Sequence, residues 1–293
     1  MRKLSGIFLV GLCLGAIGAV VVTASHATAG PPARPAALSE AVPTVLATSA
    51  TPTSSATPTP TPSETPTKTQ TPVKVSGVDA ETLDKLVPGG HVSAVVFDRQ
   101  RGAATVSVHA DRGYTSASLV KLLIALSVLD RGGPTAQVQR MLSRSDDDLA
   151  SQFWSTYGGP AIVTRWAAKL GLTGTRPPAD PGRWGDTRIT AADVVKIYQY
   201  ILAKAPEAVL DALKNATERG SDGFRQYFGI PDAAGKQPWA VKQGWSCCRP
   251  TRMLHTSGVV GDDIVVVLTE HPSSVDYATG SKRVTAVVEA LLG

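Results

Sequence analysis

Cysteine is scarce: there are three in 293 residues, and one of them, Cys13, sits in an apolar N-terminal stretch. The other two, Cys247 and Cys248, are adjacent, so no multi-bridge disulfide framework can be drawn. Two ligands, with no His or Cys pair at ligand spacing, are also too few for a metal site. Aromatic residues make up only 5% of the chain, and no lysine and arginine block carries interleaved aromatics, which argues against a nucleic-acid partner. Internal repeats are absent. No residue completes a Ser-His-Asp set, and His255 and His271 fall in or beside β-rich segments, where a hydrogen-bonded structural role is expected. Neither a metal nor a cofactor is called for.

What is present divides the chain in three. Arg2-Lys3 precede an apolar stretch from Ile7 to Ala24, and Ala27-Thr28-Ala29 offers small residues for cleavage, so residues 1–29 are expected to be a secretory signal. The same stretch is nearly long enough to span a bilayer, which leaves an uncleaved anchor as the alternative. Cys13 follows Val10-Gly11-Leu12, and the bulky residue just before it argues against lipoprotein processing. Residues 30–75 are rich in Pro, Thr, Ser and Ala, with the run Thr57-Pro58-Thr59-Pro60-Thr61-Pro62, and carry too little apolar surface to offset ordering entropy; they are expected to form a disordered, extended linker. Residues 76–293 are expected to fold as one domain. The net charge of +5 suits anionic surroundings such as cell-wall polymers or lipid headgroups. Export also favours oxidation of Cys247 and Cys248, as a vicinal ring or, alternatively, leaves two separately buried thiols.

Within the folded part, His91–Phe97 and Ala104–Val108 are β-rich and flank a turn at Arg99–Gly102, which predicts a hairpin. A helix follows, with Thr115 or Ser116 as its N-cap and an apolar run after Lys121 that covers nearly the whole circumference, as a buried helix requires. Helical spacing predicts further helices over Gln137–Trp154, Ile162–Leu170, Ala191–Leu202 and Val209–Ala216, broken at Gly158-Gly159-Pro160 and Gly171. Strands return at Trp239–Lys242, Met253–Val260 and Ile264–Leu268, and a helix from Gly280 to Leu292 closes the chain. The expected fold is α+β: an antiparallel sheet made from N- and C-terminal strands and packed against a helical subdomain as a second layer. Trp154, Trp166 and Trp239 are expected in the core and Trp245 at a cleft.

Ser118 and Lys121 are three apart and share a helix face, which puts a base beside a hydroxyl nucleophile. Ser145-Asp146-Asp147 opens a later helix and Lys242-Gln243-Gly244 ends a strand. That order resembles the Ser-x-x-Lys, Ser-Asp-Asn and Lys-Thr-Gly set of the class A β-lactamases and penicillin-binding proteins. Gly158-Gly159-Pro160, Leu170-Gly171 and Gly185-Asp186-Thr187 look like further family landmarks, so the resemblance covers about residues 77–293.

The resemblance implies Ser118 as acylated nucleophile, Lys121 as its activator, Ser145 as proton relay and Lys242 as electrostatic partner for a substrate carboxylate. It also implies Asp147, Gln243, Gly244 and Trp245 as substrate-binding positions, with the N–H groups of Ser118 and Trp245 forming an oxyanion hole. Several departures stand out. Asp147 replaces an amide with an acceptor-only carboxylate, and Gln243 replaces a hydroxyl. The stretch between Ser118 and Ser145 is short, which predicts a more open cleft. The loop from Gly171 to Asp186 holds no glutamate, leaving Asp180 as a short-armed candidate for activating water, while Asp186 matches a structural aspartate.

The expected function is an exported serine hydrolase acting through a Ser118 acyl-enzyme on a β-lactam or related amide, with slow deacylation. The alternatives are a D,D-peptidase or cell-wall amidase or esterase, and a wall-associated binding module. The expected partner is a small-molecule or peptidoglycan-type substrate, met by a monomer at the cell wall or membrane surface.

Overall fold

A computed structural model describes residues 78–293. The expected signal with Cys13 and the expected linker lie outside the described residues. In chain order the elements are α1 (Ala80–Leu86), β1 (His91–Asp98), β2 (Ala103–Val108), β3 (Tyr114–Thr115), a 3-10 turn (Ala117–Val120), α2 (Lys121–Asp130), α3 (Thr135–Ser143), α4 (Asp147–Tyr157) and α5 (Pro160–Leu170). A second 3-10 turn (Trp184–Asp186), β4 (Arg188–Ile189), α6 (Ala191–Lys204), α7 (Glu207–Lys214), α8 (Ile230–Ala233), β5 (Trp239–Ser246), β6 (Arg252–Val260), β7 (Asp263–His271) and α9 (Tyr277–Leu292) follow. No helix among the described residues is long and apolar enough to cross a membrane.

The predicted hairpin is β1 and β2. Asp98 Oδ1 accepts from the N–H groups of Gln100 and Arg101 at 2.8 and 2.9 Å, closing the turn, and Gly102 takes the left-handed conformation that lets the chain reverse. The five-stranded sheet runs β2-β1-β7-β6-β5, with every pair antiparallel. Strands from both ends of the chain thus build one sheet, as the pattern predicted. β5 lies at its edge.

Alternation along β7 explains the packing. Ile264, Val266 and Leu268 join a core with α2 and the other helices, whereas Val265 and Val267 pack with Leu83 of α1 and Val284, Val287 and Val288 of α9. Helices therefore cover both faces of the sheet. The two-layer expectation is corrected to three layers, because β1, β6 and β7 are buried on both faces, β7 being apolar on both, and each face needs a cover. α1 was not foreseen. It is a short helix capped by Asp79, whose Oδ1 accepts from Thr82 N at 2.8 Å.

α2 is buried from Lys121 to Val128 and forms the axis of the helical subdomain. Helical spacing over Gln137–Trp154 covers two helices, α3 and α4, the second opening at Ser145-Asp146-Asp147 as that motif was expected to do. Ser145 has φ +51° and Asp146 caps α4, its Oδ1 accepting from Leu149 N at 3.1 Å, so the helix ends and restarts there. Gly158 and Gly171 end α4 and α5 in the left-handed conformation, and Pro160 opens α5. Trp154 and Trp166 are buried as expected, while Trp239 is half-buried.

β6 approaches the edge strand closely at Gly258, where an added Cβ would lie 2.3 Å from the backbone oxygen of Ala240. Gly258→Ala is expected to force the two strands apart and to destabilise the domain by about 2 kcal/mol, read as a lower urea midpoint with an unchanged slope.

Candidate active site

The site grows from the 3-10 turn in front of α2. Ser116 was an expected helix cap, but its backbone is already helical and its Oγ makes no cap bond. It donates instead to the carbonyls of Ala117 and Gly185, at 3.1 and 3.3 Å, and its N–H donates to Thr187 O at 2.7 Å. Ala117 then takes φ +46°, an uncommon conformation for a residue with a side chain. Ser118 consequently stands in the tight turn rather than in the first turn of an α-helix.

Two groups support that turn from the sheet. Gly244 faces it so closely that a Cβ would lie 3.0 Å from Ser116 O and 3.3 Å from Leu119 Cγ. Gly244 therefore lets the edge strand approach the segment carrying Ser118. His255, fully buried, holds Thr115 O at 2.8 Å through Nε2 and accepts from Thr269 N at 3.2 Å through Nδ1. This pairing defines the neutral tautomer with the proton on Nε2.

Ser118, Lys121, Ser145 and Lys242 come together. Lys121 Nζ lies 2.9 Å from Ser118 Oγ, 2.8 Å from Ser145 O and 3.2 Å from Ser145 Oγ, and it pairs with Asp147 Oδ1 at close range. Lys242 Nζ lies 2.9 Å from Ser145 Oγ and 2.9 Å from Gln243 O. Ser145 Oγ thus bridges two amines. The lysines are 0% and 1% exposed, and burial pulls both below the ordinary lysine range. Asp147 partly opposes the shift at Lys121, whereas the positive neighbour Lys121 deepens it at Lys242, which lies well below. Asp147 Oδ1 and Ser145 O can only accept from Lys121, and in the neutral amine the lone pair is free to accept from the Ser118 hydroxyl.

A cleft of about 370 Å³ opens above this cluster, lined among others by Ser118, Asp147, Trp184, Asp186, Trp245 and Cys247. Trp245 stacks on Phe224 with 4.7 Å between ring centroids and donates to Asp222 Oδ2 at 2.9 Å. The Trp184 ring lies 4.8 Å from Lys121 Nζ. Trp184 lines the cleft, His255 braces the turn, and Asp222 and Phe224 support Trp245; none of these was picked out as a site residue, because each sits in an element whose local pattern carries no chemical signal.

Gln243 is not brought to the cleft. It is buried, and its amide donates to Gln226 O at 2.9 Å and Phe228 O at 2.6 Å. Alternation along β5 turns it away from Lys242 and Gly244, which corrects the expected substrate contact. β5 also continues through Gly244 to Ser246 rather than ending there. In the loop, Asp180 is exposed and accepts from Gly182 N at 2.9 Å without lining the Ser118 cleft, and Asp186 is tied to Arg183 Nε at 2.5 Å. Cys247 and Cys248 form a vicinal disulfide at the exposed end of β5, so the alternative of two buried thiols does not hold.

The architecture matches solved structures of class A β-lactamases. A β-lactamase from Chitinophaga pinensis aligns with a TM-score of 0.58 at 14% identity, covering 72% of this chain and 96% of the other. One from Sphaerobacter thermophilus gives 0.58 at 19% identity over 73% and 97%, and the TLA-3 extended-spectrum β-lactamase gives 0.60 at 13% over 72% and 96%. The chain has the class A β-lactamase-like fold, the fold of serine hydrolases. No protein-family model matches the sequence. "Putative lipoprotein LppW" of Mycobacterium tuberculosis is 36% identical over 223 residues, covering 69% of this chain and 70% of the relative, and its Mycobacterium bovis counterpart matches equally. The chain belongs to the same family as LppW.

His255 generates a pH prediction. Burial lowers its pKa from 6.5 to about 4, so between those values the unfolded chain binds the extra proton and the folded one does not. Stability is full above pH 6.5 and is lost as pH falls toward 4, by about 3 kcal/mol from this group. Urea unfolding across that range is expected to show the slope, and His255→Gln to reduce it, leaving the part due to His271, which burial also lowers to about 4.

Proposed function

We propose that this protein is an exported serine hydrolase that forms an acyl-enzyme at Ser118 with a β-lactam or a related peptidoglycan amide and releases it slowly. The observation that carries the proposal is the buried chain Ser118 Oγ, Lys121 Nζ, Ser145 Oγ and Lys242 Nζ, each within 3.2 Å of the next. Neutral Lys121 takes the Ser118 proton as Oγ attacks the carbonyl carbon. As the bond from the carbonyl carbon to nitrogen breaks, Lys121 returns that proton through Ser145 to the leaving nitrogen, and a substrate carboxylate, by its negative charge, favours the protonated form of Lys242 that pairs with it. The N–H groups of Ser118 and Trp245 are the oxyanion donors in this reading.

Slow release rests on the loop. Its carboxylates are engaged elsewhere, and Trp184 takes the place beside Lys121. The same observation favours a second reading, a cell-wall D,D-peptidase or amidase for which β-lactams are trapped mimics. Residues 76–293 form the hydrolase domain in this proposal, and residues 30–75 the spacer that holds it away from the membrane. The name of LppW supports a surface-held protein. Here Leu12 before Cys13 favours a cleaved signal or an uncleaved anchor over lipid attachment.

Incubation with benzylpenicillin followed by intact-mass measurement is expected to show a persistent adduct of one drug per chain in the wild type and none in Ser118→Ala. Lys121→Ala is expected to slow adduct formation by about 10²-fold or more. Rapid consumption of many equivalents of drug would overturn slow release, and an adduct on Ser118→Ala would overturn the nucleophile.

A further inference from the structure

Asp147 is the only carboxylate among the described residues that pairs with Lys121. It stands at the first position of α4 and lines the same cleft as Ser118. Its side chain is 64% exposed while its lysine partner is wholly buried. One oxygen faces the Lys121 amine, and the carboxylate as a whole reaches solvent in the cleft. Lys121 Nζ is in turn 2.9 Å from Ser118 Oγ, so a single nitrogen separates the carboxylate from the oxygen that would carry the acyl group. Of the loop aspartates, Asp180 does not line the cleft, and Asp186 lines it but is paired with Arg183 rather than with a group that touches Ser118.

Resting on the acyl-enzyme reading above, we propose that Asp147 is the general base of deacylation, supplying from the start of α4 the carboxylate that the loop lacks. A water in the cleft attacks the ester carbonyl carbon of acyl-Ser118 and gives its proton to Asp147. As the bond between carbonyl carbon and Ser118 Oγ breaks, Asp147 passes that proton through Lys121 to Oγ, so that Lys121 is again neutral, Asp147 is again ionised, and a free carboxylic acid is the product. The contact with Lys121 also accounts for slow release. A carboxylate that already accepts a hydrogen bond is a weaker base than a free one, and Asp has a short arm.

The variants that test this are Asp147→Asn and Asp147→Gly in the full chain, with benzylpenicillin as probe. Acylation is followed by intact mass, and decay of the adduct is followed after removal of free drug. Asp147→Asn is expected to acquire the adduct and to lose it about 10²-fold more slowly than the wild type. Asp147→Gly is expected to behave likewise, and added formate, a small carboxylate that fits the vacated volume, is expected to restore decay. Formate rescue reads chemistry in folded protein and would not follow from a merely structural role. Adducts that decay at the wild-type rate in both variants, or slowed decay that formate leaves unchanged, overturn the assignment of Asp147 alone. A wild type that never acquires an adduct overturns the acyl-enzyme reading and this inference with it.

Discussion

Two lysine side chains are taken out of water and aimed at the same hydroxyl, Ser145 Oγ, and the rest of the site is arranged around that constraint. Removing an ammonium from water costs several kcal/mol unless it is paired, hydrogen-bonded or neutralised. All three remedies are visible. Asp147 pairs with Lys121, backbone carbonyls of Ser145 and Gln243 accept from the two amines, and burial pulls both toward the neutral form. Their proximity then makes a base out of a residue that is ordinarily a cation.

Holding that cluster requires rigid walls on three sides. The central helix α2 supplies Lys121 from a fully buried start, the break between α3 and α4 supplies Ser145, and the edge strand β5 supplies Lys242. Gly244 lets β5 approach the Ser118 turn, while His255, one strand further in, ties the residue before that turn to the sheet. Ser116 ties the same segment to Gly185 and Thr187, so the loop that carries Trp184 and the Ser118 turn are joined through its side chain and its N–H. The positive φ at Ala117 is maintained by these contacts, since nothing in an alanine favours it.

Much of the fold was legible because its elements obey simple periods. The hairpin, the edge-to-edge assembly of the sheet from both chain ends, the buried α2 and the glycine stops at Gly158 and Gly171 all follow from alternation, apolar runs and turn chemistry. The split between α3 and α4 was half legible: apolar spacing runs on across Ser145 and suggests one helix, while the Ser145-Asp146-Asp147 motif marks where the second one opens. The helices covering the second face of the sheet were hidden. A strand apolar on both faces announces two covers but does not say which helices provide them.

For the site, the sequence by itself determined the spacing of Ser118 and Lys121 and the presence of the other two motifs, because helix geometry acts over a few residues. Tertiary structure alone decided that Lys121 meets Ser145 across 24 residues and that Lys242 meets it across 97. It also turned Gln243 away, brought Trp184 over Lys121 and placed Asp147 against that lysine. Those outcomes depend on where whole elements pack against one another, and local pattern carries no information about contacts made across the core.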